Sequence, residues 1–290
     1  MPVRDVLRRL IDLILYSNLW IAMAALSLHV QVRWLLLGQI AFGPLDGFVF
    51  FATVFLYAVH RLIALHRLTG FTLSDRFQKI SRRRRDILVY AILAGLATLF
   101  FFGRLERSTQ FLSLAPALLS LLYVLPIFSG GRRLRDFHFL KIFLIALVWT
   151  WVTVVLPAFQ VHLLGQIPVW LLILERFFFV FAITVPFDVR DLHLDRQTQV
   201  ATLPARLGIS RALWVALSSL LLAALTAFWL YRMDVYSTPA WIGWLATTAL
   251  TAGLIVGSRP DRHDYYFTGW LDGTMILLAT LVITLDQWFY

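Results

Sequence analysis

Cysteine is absent from all 290 residues. That excludes disulfides, thiolate metal centres and a cysteine nucleophile, and it leaves the redox compartment open. Charge is scarce as well: Asp, Glu, Lys and Arg make up 14% of the chain, against roughly 25% in a soluble domain. Too little polar surface exists to wrap a water-soluble fold of this length. Acids are the scarcer sign, 16 against 26 basic residues. There is no phosphate-binding Gly-rich Walker loop, no dinucleotide fingerprint and no His-Glu-x-x-His zinc pattern. The alternating apolar and polar segments of a membrane β-barrel are missing, and no inverted repeat of the transporter kind stands out.

What remains is apolar. Hydrophobic residues make up 60% of the chain and mean hydropathy is +0.78. Runs of about 20 apolar residues, enough to cross a bilayer, recur along the whole length. They predict an all-α membrane protein, a single polytopic domain over 1–290 with nine transmembrane helices at approximately 10–30, 43–65, 86–103, 110–128, 139–158, 168–187, 210–231, 239–257 and 267–288. Pro44, Pro168 and Pro239 fall at expected starts, where the missing N–H is harmless. Pro126 and Pro157 fall near expected ends. Arg4, Arg8 and Arg9 before an apolar run resemble a signal peptide, but no small-residue cleavage site follows. The segment reads as a retained first helix.

The nine-helix pattern separates the basic residues. One side receives 21 of the 26, the other four, and Arg176 falls within a span. By the positive-inside rule the basic side is cytoplasmic. This places the N-terminus inside and the C-terminus on the opposite side, and fits a bacterial inner membrane. The net charge of +10 is then a topology signal, with Arg82-Arg83-Arg84-Arg85 meeting anionic lipid headgroups; no nucleic-acid partner is implied. Trp34, Trp170, Tyr236 and Trp241 fit an aromatic belt at the interfaces.

The most informative stretch follows the sixth expected helix. Asp188, Asp191 and Asp195 are spaced i, i+3, i+7, on one helical face. Carboxylates at a membrane surface suit a Mg²⁺-bound diphosphate, since Mg²⁺ is held by carboxylates plus substrate phosphates. The bland alternative is a solvated helix end whose acids pair with Arg190, Arg196 and Arg206. Downstream lies Thr202-Leu203-Pro204-Ala205-Arg206-Leu207-Gly208.

Those acids and that downstream string resemble the second aspartate motif of the UbiA-type intramembrane prenyltransferase superfamily, which also has nine helices. The resemblance implies a helical bundle with a cavity open to the cytoplasmic side. It implies prenyl diphosphate as substrate and Mg²⁺ as cofactor, with ionisation to an allylic cation that an aromatic or quinone-precursor acceptor captures. Asp188, Asp191 and Asp195 would hold metal and diphosphate. Two features depart from the family pattern. Its first acidic motif, Asn-Asp-x-x-Asp-x-x-x-Asp, should follow the second helix. Here that place reads Tyr57-Ala58-Val59-His60-Arg61-Leu62-Ile63-Ala64-Leu65-His66-Arg67, without a carboxylate, and Ala201 stands where the family has Lys. One ion rather than two is therefore expected.

Two readings of the replacement compete. In one, His60, Arg61, His66 and Arg67 bind an anionic headgroup directly, as arginine forks do. In the other, they anchor a helix end by snorkelling. Arg190 and Arg196 are further candidates for phosphate contact. Asn18 resembles the polar residue the family sets near the diphosphate, with an interhelical hydrogen bond as the alternative. Asp272, about one and a half turns into the ninth helix, could face the same cavity. Glu175 and Arg176 lie inside a span, where ionisable groups are costly, and Glu175 is a candidate pocket residue or half of an interhelix pair. Lys141 could supply phosphate contact, but reads by preference as another topology charge. The competing function is a catalytically inactive UbiA-fold protein acting as a lipid-diphosphate-binding or assembly module.

Overall fold

The computed structural model describes residues 17–67, 84–125, 140–197 and 200–288, with positions 6, 11, 12, 14, 15 and 134; of residues 66 and 67 it describes the backbone alone. Every regular element among them is helical. The long helices are α1 (Leu19–Leu37), α2 (Pro44–Arg67), α3 (Arg84–Gly103), α4 (Arg107–Val124), α5 (Leu140–Gln160), α6 (Ile167–Arg190), α9 (Ile209–Arg232), α10 (Thr238–Val256) and α11 (Tyr266–Trp288). Two short helices, α7 (Leu192–Gln197) and α8 (Leu203–Leu207), join α6 to α9. Eight helices, all of these long ones except α4, are long and apolar enough to cross a membrane. This is an integral membrane protein. The helix expected over 110–128 forms as α4, but its first turn, Arg107-Ser108-Thr109-Gln110, is polar.

The first helix departs from its expected bounds of 10–30. Asn18 adopts a left-handed conformation at φ 68°, and regular helix α1 starts at Leu19. Gly38, also left-handed at φ 65°, closes α1 by donating its N–H to Trp34 O, the usual glycine stop. Pro157 does not end its helix: α5 runs on to Gln160 through a π-turn over Trp151–Val155. Proline lacks an N–H and crowds the carbonyl one turn back, and a wider turn relieves both. A second π-turn, Tyr266–Leu271, opens α11 and delivers Asp272.

Helix α6 is the axis of the bundle, buried along nearly its full length from Val169 to Val189. Helix α9 lies along it through Ala212, Ala216, Ser219, Ala223 and Ala227. These small side chains at one-turn intervals allow close approach of two membrane helices, and Ser219 Oγ donates to Phe178 O at 2.9 Å. Helix α3 is peripheral. It buries Ile87, Ala91 and Ala94 and turns Leu88, Ile92, Leu96 and Leu99 outward, an apolar face that lipid covers.

Opposite the aspartate end, a polar network ties the bundle. Asp46 accepts from Arg33 Nη1 at 2.6 Å and Gly43 N at 2.7 Å. Trp34 Nε1 donates to Asp286 at 2.7 Å, and Ser237 Oγ also donates to Asp286. The expected aromatic belt is only partly that. Trp170 is exposed, but Tyr236 is buried with its hydroxyl 3.4 Å from Glu175 Oε2. Trp241 stacks between Tyr231 and Trp244 at 5.7 Å from each.

Candidate functional site

Proline begins the site. Pro186 sits inside the last turn and a half of α6, where it removes one backbone bond and loosens the helix. Helix α6 then stops at Asp191, whose N–H reaches back to Phe187 O, and the chain re-enters helix as α7. The three aspartates therefore do not share one continuous helical face. Asp188 belongs to α6, Asp191 is its C-cap and Asp195 lies in the first turn of α7.

Each aspartate has its own surroundings. Asp188 is buried and accepts from Lys141 Nζ at 2.5 Å; Lys141, from the first turn of α5, is buried too. Asp188 Oδ2 has no hydrogen-bond partner among the described residues. Asp191 is held by a fork: Arg190 Nε and Nη2 lie 2.8 and 3.0 Å from its two oxygens. Arg190 also donates to Asp264 at 3.0 Å and lies over the rings of Phe187 and Phe267 at 4.9 and 5.7 Å. Asp195 is buried, and its N–H bonds to Asp191 O at 2.9 Å. Arg196 is exposed on α7. Thr202, in the downstream string, is buried with its hydroxyl unpartnered among the described residues.

Other elements converge on this end. Tyr57 of α2 lies beside Trp149 of α5 and within electrostatic reach of Asp272 of α11, Tyr123 of α4 and Arg61 one turn along its own helix. Arg61 donates to Leu15 O at 3.5 Å, and its neighbour His60 meets the Tyr123 ring at 6.1 Å between centroids. Asp272 is buried and lies within electrostatic reach of Arg190 as well as Tyr57. Trp20 Nε1 bonds Gly269 O at 3.1 Å, and a Cβ on Gly273 would stand 3.3 Å from the Trp20 ring. The glycines thus admit α1 against α11, beside Asp272. Asn18 heads α1 at this junction. It is buried, and neither its amide nitrogen nor its amide oxygen has a partner among the described residues. Of the expected basic cluster, the side chains of His66 and Arg67 lie outside the described residues.

Glu175 and Arg176 are not part of this end. Both are fully buried, and they turn to different neighbours. Glu175 accepts from Trp244 Nε1 at 3.1 Å and Tyr236, while Arg176 donates to Gln31 Oε1 at 2.7 Å.

Sequence reasoning gave no role to Tyr123 or Asp264, named Tyr57 only within the stretch that lacks a carboxylate, and preferred for Lys141 a topology charge to phosphate contact. Lys141 carried a usable signal: it lies inside the apolar run 139–158, and a cation within a span needs a partner.

The Mg²⁺ that the motif resemblance implies can be tested on these side chains. A two-ion site needs carboxylates from both walls. Helix α2 offers Tyr57, His60 and Arg61 to this end, and its one acid, Asp46, is at the other. Among the described residues no three His, Asp or Glu side chains are gathered as a metal site. Asp188 is engaged by an ammonium. Asp191 is partly exposed but has both oxygens on the Arg190 guanidinium, so an ion shared with Asp195 one turn on would have to displace that fork.

No family model matches the sequence, and no curated protein matches it. Solved structures do. A UbiA homolog from Aeropyrum pernix K1 in its apo form is 17% identical with a TM-score of 0.63, over 91% of this chain and 95% of that one. A UbiA homolog from Archaeoglobus fulgidus bound to GPP and Mg²⁺ is 13% identical with a TM-score of 0.63, over 93% and 96%. A digeranylgeranylglyceryl phosphate synthase structure is 13% identical with a TM-score of 0.58, over 97% and 98%. The chain therefore has the UbiA-type prenyltransferase fold.

Proposed function

We propose that this protein binds a prenyl diphosphate at the Asn18–Arg61–Asp188–Asp272 end of the bundle and transfers the prenyl group to an apolar acceptor. The observation that carries the reading is the buried Asn18 amide, unpartnered among the described residues. It sits on a left-handed backbone, two residues before Trp20, whose Nε1 bonds Gly269 O on the helix that carries Asp272. A buried amide without hydrogen bonds costs about 1–3 kcal/mol, and backbone strain of this kind clusters at ligand sites. Phosphate oxygens accept, so a ligand that bears them satisfies the Asn18 Nδ2 donor, while Oδ1 needs a donor of its own. The UbiA homolog bound to GPP and Mg²⁺ supports the choice of ligand.

The chemistry asks little covalent help. The allylic C–O bond breaks, and its electron pair leaves with the diphosphate. The acceptor's nucleophilic carbon or oxygen then forms a bond to the allylic carbon and releases a proton. The barrier falls by stabilising charge on the leaving group. Arg61, Lys141 and Asn18 supply donors for the diphosphate, while Arg190 holds Asp191 and approaches Asp272. One Mg²⁺, held by Asp191 and Asp195 in place of the Arg190 fork, supplies further positive charge when bound. Tyr57 and Trp149 lie together at this end of the bundle, and aromatic faces suit a transient carbocation. The prenyl tail lies among the helices and in lipid. The basic end is placed on the cytoplasmic side by the positive-inside rule.

A second reading, a UbiA-fold module that binds lipid diphosphate without turnover, is favoured by the engagement of Asp188 and Asp191 by protein cations. Binding of geranyl thiodiphosphate to the full chain in nanodiscs, with and without Mg²⁺, tests the shared claim. Asn18→Ala and Arg61→Ala are expected to weaken binding at least about tenfold, one good charged hydrogen bond each. Asp191→Asn is expected to remove its Mg²⁺-dependent part. Absence of binding by the wild type sinks both readings. Binding without prenyl transfer to any phenolic or quinone-type acceptor selects the second.

A further inference from the structure

We propose that Arg176 and Gln31 form a second ligand site, at mid-depth in the bundle, that takes neutral molecules by their oxygen atoms. Both side chains are fully buried. Arg176 Nη2 donates to Gln31 Oε1 at 2.7 Å, joining α6 to α1. A guanidinium can only donate, so this bond sets the amide with its oxygen toward Arg176 and its nitrogen away. Arg176 Nε, Arg176 Nη1 and Gln31 Nε2 then have no partner among the described residues. Every one of them is an N–H donor. Buried donors are rarely left empty, and here two side chains in contact, from two helices, lack acceptors together. Their complement is oxygen that can accept.

Charge narrows the ligand. A cation finds no lone pair in a set of donors. Glu175 is the neighbouring acid, fully buried and within electrostatic reach of Arg176. Its two oxygens accept from Trp244 Nε1 and Tyr236, so it offsets the guanidinium's charge without filling its bonds. An anion added here would leave a net negative charge inside the membrane, which is costly. A neutral acceptor leaves the pair balanced. Two sources of that chemistry reach a membrane interior: water, which settles where a few polar groups converge, and the carbonyl of a membrane-soluble molecule.

The place is separate from the aspartate end. On α6, Arg176 lies about 18 Å of helix before Asp188, with Phe179, Val180 and Ile183 buried between them. In the other direction the polar side chains continue. Trp34, one turn beyond Gln31 on α1, and Ser237, next to Tyr236, both donate to Asp286. None of this rests on the diphosphate reading.

Radiolytic hydroxyl-radical labelling, read by mass spectrometry, tests the site on the full chain in nanodiscs of synthetic, quinone-free lipid. Radicals formed from a bound water label the side chains beside it. Tyr236 and Trp244 hold Glu175 and are closed to bulk solvent. They are expected to label several-fold faster than Phe179, which is equally buried. Gln31→Leu with Arg176→Met removes both members of the pair and strands neither, and is expected to lose that labelling. Menadione, a neutral quinone, separates the two sources. Protection of Tyr236 and Trp244 by menadione makes a carbonyl molecule a ligand of the site, and unchanged labelling makes water its occupant. Labelling of Tyr236 and Trp244 no faster than that of Phe179 overturns the inference, as does labelling that persists in the folded double variant. If the double variant does not fold, the wild-type rates alone decide. Failure of geranyl thiodiphosphate to bind would remove the diphosphate reading and leave this one standing.

Discussion

Arg190 Nη1 lies 3.0 Å from Asp264 Oδ1, joining the last turn of α6 to the segment that leads into α11. The same guanidinium forks onto Asp191 and lies over the Phe187 and Phe267 rings. One planar cation thus fixes two carboxylates and two aromatic faces. It positions the aspartate segment relative to Asp272.

Replacing Arg190 separates these contributions. Arg190→Met leaves Asp191 and Asp264 without their cation and should cost about 3 kcal/mol, the lower end for breaking a buried pair, because Asp191 is partly exposed and rehydrates. Arg190→Lys keeps the charge but cannot fork, and should cost about 1.5 kcal/mol, one charged hydrogen bond. Thermal unfolding in nanodiscs should rank wild type above Lys above Met. Equal midpoints for Lys and wild type would mean the fork contributes nothing.

The same helix buries Arg176 in mid-bundle. Arg176 donates to Gln31, while its Nε and Nη1 have no partner among the described residues. Gln31→Leu should therefore destabilise strongly, by about 1.5–3 kcal/mol, since it strips the hydrogen bond from a charge that stays buried. Adding Arg176→Met to Gln31→Leu should recover most of that loss, because removing both members of a buried polar pair is often neutral. A double-mutant cycle on unfolding midpoints checks this. Additive losses would show that the two side chains act separately.

Much of this architecture is written in the chain. The apolar runs are long and their charges asymmetric, because a bilayer imposes one length and one polarity on each span. The acids Asp188, Asp191 and Asp195 stand out because carboxylates are rare beside such runs. What local pattern cannot reveal is pairing across the bundle. Lys141 looks like one more basic residue until α5 and α6 bring it to Asp188. Tyr236 looks like a belt tyrosine until burial turns its hydroxyl to Glu175. Asn18 gives no hint of its left-handed backbone, which is decided by how α1 meets α11. The break at Asp191, where α6 gives way to α7, is equally hidden, since a perfect i, i+3, i+7 spacing reads as one helix.

Two glycines on α10 give a sharp packing test. A Cβ on Gly243 would meet Leu281 O at 3.2 Å and Leu285 Cδ1 at 2.9 Å, whereas one on Gly253 meets nothing within 4 Å. Backbone cannot step aside as a side chain can. Gly243→Ala should cost about 1–3 kcal/mol by forcing α10 from α11. Gly253→Ala should be neutral or stabilise by about 0.4–1 kcal/mol through the unfolded chain. Unfolding midpoints of the two variants should move in different directions or by clearly different amounts. Matching shifts would mean the α10–α11 contact is looser than this geometry.

The strongest check on the site is to put an acid back. Tyr57 of α2 lies within electrostatic reach of Asp272 of α11 and of Arg61 and Tyr123. Tyr57→Asp would set a second carboxylate against Asp272, and two carboxylates sharing a small space favour a divalent cation over mutual repulsion. The variant should bind Mn²⁺ at least about tenfold more tightly than wild type, a gain of about 1.4 kcal/mol. His60→Asp, whose ring packs toward Tyr123, should gain less. If Tyr57→Asp folds and binds Mn²⁺ no better, residue 57 and Asp272 do not share a cavity able to hold an ion. In that case α2 and α11 do not approach closely enough at this end to share an ion between them.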